Sequence, residues 1–230
     1  MYPQQEPFAD TSMNVHETVL DLLGKGTGTI LDVGAGFGVL VKILKKHGWK
    51  VAACEGNPER VESIQKFGIP VKQLDLNTMR LPYPDASFDA VTCIEVIEHM
   101  NAPYYLVQEL GRVLKLGGTL IITTPNILNW YSRWKFFKEG YFNEYFSEKE
   151  YLEQGDHHVS PIHFWQLRWF LKEAGMQVKT VTANQFAGTF NTSSAKMLFF
   201  SLLTLPVRPF LRPADKAILE GDILVVKAVK

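Results

Sequence analysis

Three short stretches of this 230-residue chain carry side chains whose types and spacing could do chemistry. The first is Ile30-Leu31-Asp32-Val33-Gly34-Ala35-Gly36-Phe37-Gly38, an apolar run entering three alternating glycines. Glycine there lets the backbone turn tightly and lets a ligand touch the main chain. The second is Ile94-Glu95-Val96-Ile97-Glu98-His99-Met100. If the chain turns helical at that point, Glu95, Glu98 and His99 stand at i, i+3 and i+4 on one face. Such a set, with a neutral imidazole, can hold a hard or borderline divalent ion such as Mg, Mn or Zn. An ion held there makes a bound hydroxyl easier to ionise and orients it. Without an ion, His99 can act as a general base, and the Glu-His pair can equally be structural. The third stretch, Asp156-His157-His158, offers a further ligand just before the helical pattern Phe164 to Glu173, with His163 in the N-cap position.

A dinucleotide fingerprint needs a small residue where Val39 stands, so that pattern is broken. Asp32 adds an electrostatic preference. A carboxylate beside the glycine turn repels a pyrophosphate and favours a ligand carrying an ammonium and a sulfonium, and S-adenosylmethionine is such a ligand. Glu55 is placed to bind two ribose hydroxyls, and Asp75 to accept from an adenine amino group.

These residues need a scaffold that brings them together. Apolar runs at Thr29 to Val33, Lys50 to Glu55, Val71 to Asp75, Phe88 to Glu95 and Thr119 to Thr124 read as strands. Helical patterns lie between them: Asn14 to Leu23, Phe37 to His47, Asn57-Pro58 to Phe67 and Ala102 to Leu114. Lys115 to Gly118 reads as a turn. This alternation predicts an α/β fold with a parallel sheet covered by helices on both faces. Ligands in such sheets sit beyond the carboxyl ends of the strands, where all the residues above fall.

The chain resembles a class I S-adenosylmethionine-dependent methyltransferase. The resemblance is carried by Leu31 to Gly38, Glu55, the stretch from Asp75 to Ala90 with Pro84-Asp85-Ala86-Ser87-Phe88-Asp89, and Leu114 to Thr124. It implies a Rossmann-like sheet of seven strands, mostly parallel, with Ile223 to Val229 as an antiparallel last strand. It also implies a donor site of Asp32, Gly34, Ala35, Gly36, Gly38, Glu55, Gly56, Asp75, Leu76 and Ile94, with Glu95 and His99 as catalytic residues. The Glu95-x-x-Glu98-His99 string is similar to those of quinone-biosynthesis O-methyltransferases and of metal-dependent small-RNA 2'-O-methyltransferases. That likeness implies a metal set of Glu95, Glu98, His99 and His158, with His157 as the rival for the fourth place.

On this reading the whole chain is a single domain. Residues 14–126 form the donor-binding core, 127–163 an aromatic cap after the fifth strand, and 164–230 the rest of the sheet with an apolar insertion at 189–215. The stretch Asn129 to Tyr151 holds ten of the chain's 28 aromatic residues, enough to cover an acceptor site.

Composition narrows the acceptor. Lys plus Arg and Asp plus Glu are 24 each, a balance that lacks the broad basic field of a nucleic-acid binder. Arg133, Lys135, Lys138 and Arg168 are a thin complement for RNA. The expected acceptor is therefore a hydroxyl on a small apolar or glycosidic molecule. An RNA 2'-O-methyltransferase and a non-catalytic donor-binding protein are the alternatives. Cys54 and Cys93 lie in apolar runs and read as reduced core residues, pointing to the cytoplasm. No leader pattern or spanning segment is visible. The apolar, Pro-interrupted residues 197–211 could form a lid, a homodimer patch or a peripheral membrane contact.

Overall fold

The computed structural model describes residue 12 and residues 14–26, 28–145, 158–185 and 213–230. His157 and the apolar stretch 197–211 lie outside the described residues. In chain order the elements are α1 (Val15–Leu23), β1 (Thr29–Val33), α2 (Val39–Lys46), β2 (Lys50–Glu55), α3 (Pro58–Gln65), β3 (Val71–Gln73) and β4 (Phe88–Cys93). A 3-10 turn, Ile97–His99, then leads to α4 (Pro103–Val113), β5 (Leu114–Pro125) and α5 (Trp130–Glu139). The chain ends with α6 (Phe164–Glu173), β6 (Gln177–Ala183), α7 (Pro213–Glu220) and β7 (Ile223–Val229). None of the described helices is long and apolar enough to cross a membrane.

The strands form one sheet in the order β3-β2-β1-β4-β5-β7-β6. Neighbours from β3 to β5 run parallel, and β7 is antiparallel to both β5 and β6. The expected seven-stranded sheet is thus present, with Ile223–Val229 as its antiparallel strand. Each central strand is apolar on both faces because helices cover both. Leu31, Val33, Val91, Cys93, Leu120 and Ile122 pack with Leu106, Leu110, Leu167 and Leu171 of α4 and α6. Ile30, Val51, Ala53, Ala90 and Ile121 pack with Val15, Val19, Leu40, Leu44 and Ile64 of α1 to α3. Cys54 and Cys93 are buried free thiols within this packing.

Two local readings are corrected. Residues 115–118 belong to β5, because Leu114 already pairs with Phe88 while Ala90 pairs with Thr119. The intervening residues form a bulge, with Gly117 at φ 77 and its N–H donated to the Lys230 carbonyl. β3 stops at Gln73, since Asp75 is drawn into a turn by its own side chain, which accepts from the Asn77 N–H at 2.9 Å. His163 occupies the N-cap position of α6, but its side chain makes no capping hydrogen bond.

Candidate active site

Register brings the strand tips to one level. Val33 pairs with Cys54 on one side and Cys93 on the other, and Cys93 pairs with Ile122. Gly34, Glu55, Ile94 and Thr123 therefore lie side by side at the carboxyl edge of the sheet. A cleft of about 610 Å³ opens there.

The glycine turn is held from the next strand. Glu55 Oε2 accepts the Gly36 N–H at 2.8 Å, and Oε1 accepts those of Gly56 and Asn57, each at 2.9 Å. Asn57 in turn caps α3 by accepting from Glu59 and Arg60, as its place before Pro58 predicts. Gly34 has φ 74, and a Cβ there would stand 2.3 Å from Val96 Cγ2. Gly36 has φ 55, and a Cβ would meet nothing within 4 Å. Glycine is thus required at position 34 by packing and at 36 by backbone conformation.

Asp32 is the most perturbed group of the cleft. It is only 2% exposed, and burial pushes its carboxyl up to about 7. Thr92 Oγ1 donates to Asp32 Oδ1 at 2.6 Å, which favours the charged form, while the nearby Glu55 charge disfavours it. Asp75 is exposed and also lines the cleft.

Every donor-site residue expected from the sequence lines this cleft except Gly38, whose missing side chain makes room for Ile64 and Phe67. The lining also includes Phe37 of the glycine stretch and residues that no motif marked: His16 from α1, Arg60 and Glu144. Burial holds His16 below the usual imidazole range, so it is neutral at pH 7. Arg60 stacks over Phe37 at 5.3 Å. Glu144 lies in the aromatic stretch, where nothing in the sequence pattern sets it apart. Among the described residues the cleft wall carries five carboxylates (Asp32, Glu55, Asp75, Glu95 and Glu144) and one guanidinium, Arg60.

The Glu95 to His99 segment folds differently from the expected helix turn. Glu95 lies outside the 3-10 turn, with φ 52 and its N–H donated to Thr123 Oγ1 at 2.8 Å. Its carboxylate accepts two bonds from Ser12. Glu98, His99 and His158 do come together, with potential ligand atoms within 4.8 Å of one another, and Glu95 is not part of that group. The break at Glu95 is the physical reason: a left-handed residue cannot share a helical face with positions three and four further on.

His158 is fixed by its surroundings. Its Nδ1 lies 2.7 Å from the Glu144 carbonyl oxygen, which can only accept, so Nδ1 carries a proton and the neutral ring has its lone pair on Nε2. The His99 and His158 rings meet edge to face at 4.7 Å. The Val159 and Ser160 N–H groups donate to the Glu98 carbonyl, each at 2.9 Å. Tyr145 Oη donates to the Ser160 carbonyl at 2.8 Å.

Fold and site together resemble those of class I S-adenosylmethionine-dependent methyltransferases, a likeness that the comparisons support. Residues 31–122 match the family described as a methyltransferase domain. Among curated proteins, the ubiquinone biosynthesis O-methyltransferase of Xanthomonas oryzae is 36% identical over 112 residues, which is 46% of each chain. The 2-methyl-6-phytyl-1,4-hydroquinone methyltransferase of Synechocystis is 37% identical over 111 residues, 46% of this chain and 35% of that one. The match thus spans less than half the length of these relatives. Solved structures extend the likeness of fold to almost the whole chain. A putative methyltransferase from Bacillus halodurans superposes with TM-score 0.65 at 20% identity, covering 94% of this chain and 98% of that one. A possible histamine N-methyltransferase from Thermotoga maritima gives 0.61 at 19% identity, covering 95% and 89%.

Proposed function

We propose that this protein transfers the methyl group of S-adenosylmethionine to a hydroxyl of a small, apolar acceptor of the quinol type. The observation that carries the donor assignment is the charge of the cleft: among the described residues, five carboxylates and a single guanidinium around a partly buried glycine turn. A sulfonium and an ammonium gain from that field, whereas a pyrophosphate loses. In this reading Asp32 faces the cationic end of the donor, Glu55 takes the ribose hydroxyls and Asp75 the adenine amino group. The likeness to a ubiquinone biosynthesis O-methyltransferase and to a hydroquinone methyltransferase supports a quinol-type acceptor.

Methyl transfer is an in-line displacement at a sulfonium carbon, so the protein mainly aligns donor and acceptor. A phenol titrates near ~10, and its proton must be weakened or removed. Glu95 and His99 line the donor cleft and are the groups positioned to take it.

A divalent ion at Glu98, His99 and His158 is a second reading, favoured by the fixed tautomer of His158. A histidine whose Nδ1–H is spent on a carbonyl presents Nε2 as a ligand, the usual outer-shell arrangement of metal-binding imidazoles. The buried Glu98 carboxyl would supply negative charge once ionised by such an ion. An ion bound there would lower the pKa of an acceptor hydroxyl beside it.

Calorimetry of the full chain with S-adenosylmethionine and its demethylated product tests the donor assignment. A screen of hydroxylated small molecules with labelled donor tests the acceptor. Binding of NAD or ATP in place of the sulfonium compound refutes the reading. Steeply salt-dependent RNA binding would instead point to a nucleic-acid acceptor.

A further inference from the structure

At one end of the cleft the carboxylate of Glu95 already holds two donors. Ser12, just ahead of α1, donates its backbone N–H to Oε2 and its hydroxyl to Oε1, each at 3.1 Å, across a sequence separation of 83 residues. Ser12 is tied to the fold, because its carbonyl accepts the Val15 N–H at 3.3 Å. The helix that follows buries Val15 and Val19 and sends His16 into the same cleft. Glu95 is fixed from the other side by its bond to Thr123 and by a backbone conformation that a bulky residue adopts at a cost. A half-buried carboxylate thus stands at a set place in the donor cleft, satisfied by a residue from the far end of the chain.

We propose that Ser12 is a stand-in for the acceptor: it occupies the hydrogen-bonding position on Glu95 that an acceptor hydroxyl takes, and it leaves when the acceptor binds. This inference rests on the methyltransferase reading of the cleft. The chemistry of the pair supports it. The N–H and O–H of a serine hang on adjacent carbons, as the two hydroxyls of an ortho-diol do. A carboxylate that receives one donor per oxygen from Ser12 can receive two neighbouring hydroxyls in the same way. Ser12 keeps the carboxylate from standing desolvated and unmatched in the empty site. Its displacement is a cost subtracted from acceptor affinity, so weakening the Ser12 contact strengthens acceptor binding.

The test uses 4-nitrocatechol, a coloured compound with two adjacent hydroxyls, titrated into the full chain in the presence of the demethylated donor product. Ser12→Ala removes the hydroxyl, and Ser12→Pro removes both donors. The expected Kd for the probe falls roughly 3- to 10-fold in Ser12→Ala and further in Ser12→Pro, with donor affinity by calorimetry within about twofold of wild type. Hydrogen exchange of the wild-type Ser12 amide accelerates when the probe binds. Equal or weaker probe binding by both variants overturns the proposal and makes Ser12 a positioning residue for Glu95 instead. If no form binds the probe while all bind the donor, Glu95 is not a hydroxyl anchor, and only the methyltransferase reading survives. Loss of donor binding in wild type removes both.

Discussion

Thr92 and Asp32 are directly opposed neighbours on β4 and β1, and the threonine hydroxyl donates to the aspartate across 2.6 Å inside the sheet. The bond orients the carboxylate, yet burial still pushes its titration up to about 7. Asp32 is therefore held in an unfavourable state that a cationic ligand would relieve. This is the pattern of a binding group held at the expense of stability.

The stability consequence follows from the sign of the shift. Asp32 binds its proton more tightly in the fold than in the unfolded chain. Between about pH 4 and about 7 the folded state holds a proton that the unfolded state has released, so this group's contribution weakens the fold as pH rises through that window. Its full electrostatic cost above pH 7 is about 4 kcal/mol at most. Asp32→Asn keeps an acceptor for Thr92 and removes the charge. At pH 8 the ligand-free variant should be more stable than wild type by about 1–3 kcal/mol in denaturant melts, with the gap closing toward pH 4. Its donor binding should be lost.

The same titration should appear in binding. A cationic donor prefers ionised Asp32, so protonation competes with it. Donor affinity measured by calorimetry should fall about tenfold from pH 8 to pH 6, provided circular dichroism shows the chain folded at both. A flat profile would mean that Asp32 does not face the positive end of the ligand.

The two glycines of the turn should fail in different ways. Gly34→Ala places a Cβ 2.3 Å from Val96 Cγ2 in addition to its positive φ, and should cost about 2–4 kcal/mol of stability together with donor binding. Gly36→Ala meets no neighbour and should cost only about 1 kcal/mol. Melting temperatures and donor titrations of the two variants, measured side by side, separate the packing requirement from the conformational one.

An ion held by Glu98, His99 and His158 should reveal itself without an activity assay. After treatment with chelator, Mn²⁺ or Zn²⁺ should raise the wild-type melting temperature. The rise should be absent in His158→Ala. Identical melting curves for both proteins in every metal would remove the ion from the mechanism.

Asn126 anchors the end of β5. Its Nδ2 lies within 3.1 Å of three carbonyl oxygens, those of Ala217, Ile218 and Gly221 at the end of α7, and Asn129 Nδ2 reaches the Gly221 oxygen as well. Asn126→Ala leaves these buried acceptors without that donor and should cost about 1–3 kcal/mol in chemical denaturation. Asn126→Asp should be at least as damaging, since it sets a carboxylate against carbonyl oxygens.

What the sequence determined by itself was local and periodic. Alternation of short apolar strands with amphipathic helices fixed the sheet and the side on which ligands bind, because both follow from nearest-neighbour patterning. Asp32, the glycine turn and Glu55 were legible because each sits at or beside a strand end, where polar residues and glycines interrupt an apolar run. Tertiary structure alone decided the rest. It placed His16 in the cleft and Ser12 against Glu95, brought Glu144 to His158, and separated Glu95 from the Glu98, His99 and His158 group. The reason is physical. A turn of backbone at Glu95 and contacts across more than eighty residues depend on where whole elements pack, and no spacing within one segment encodes that.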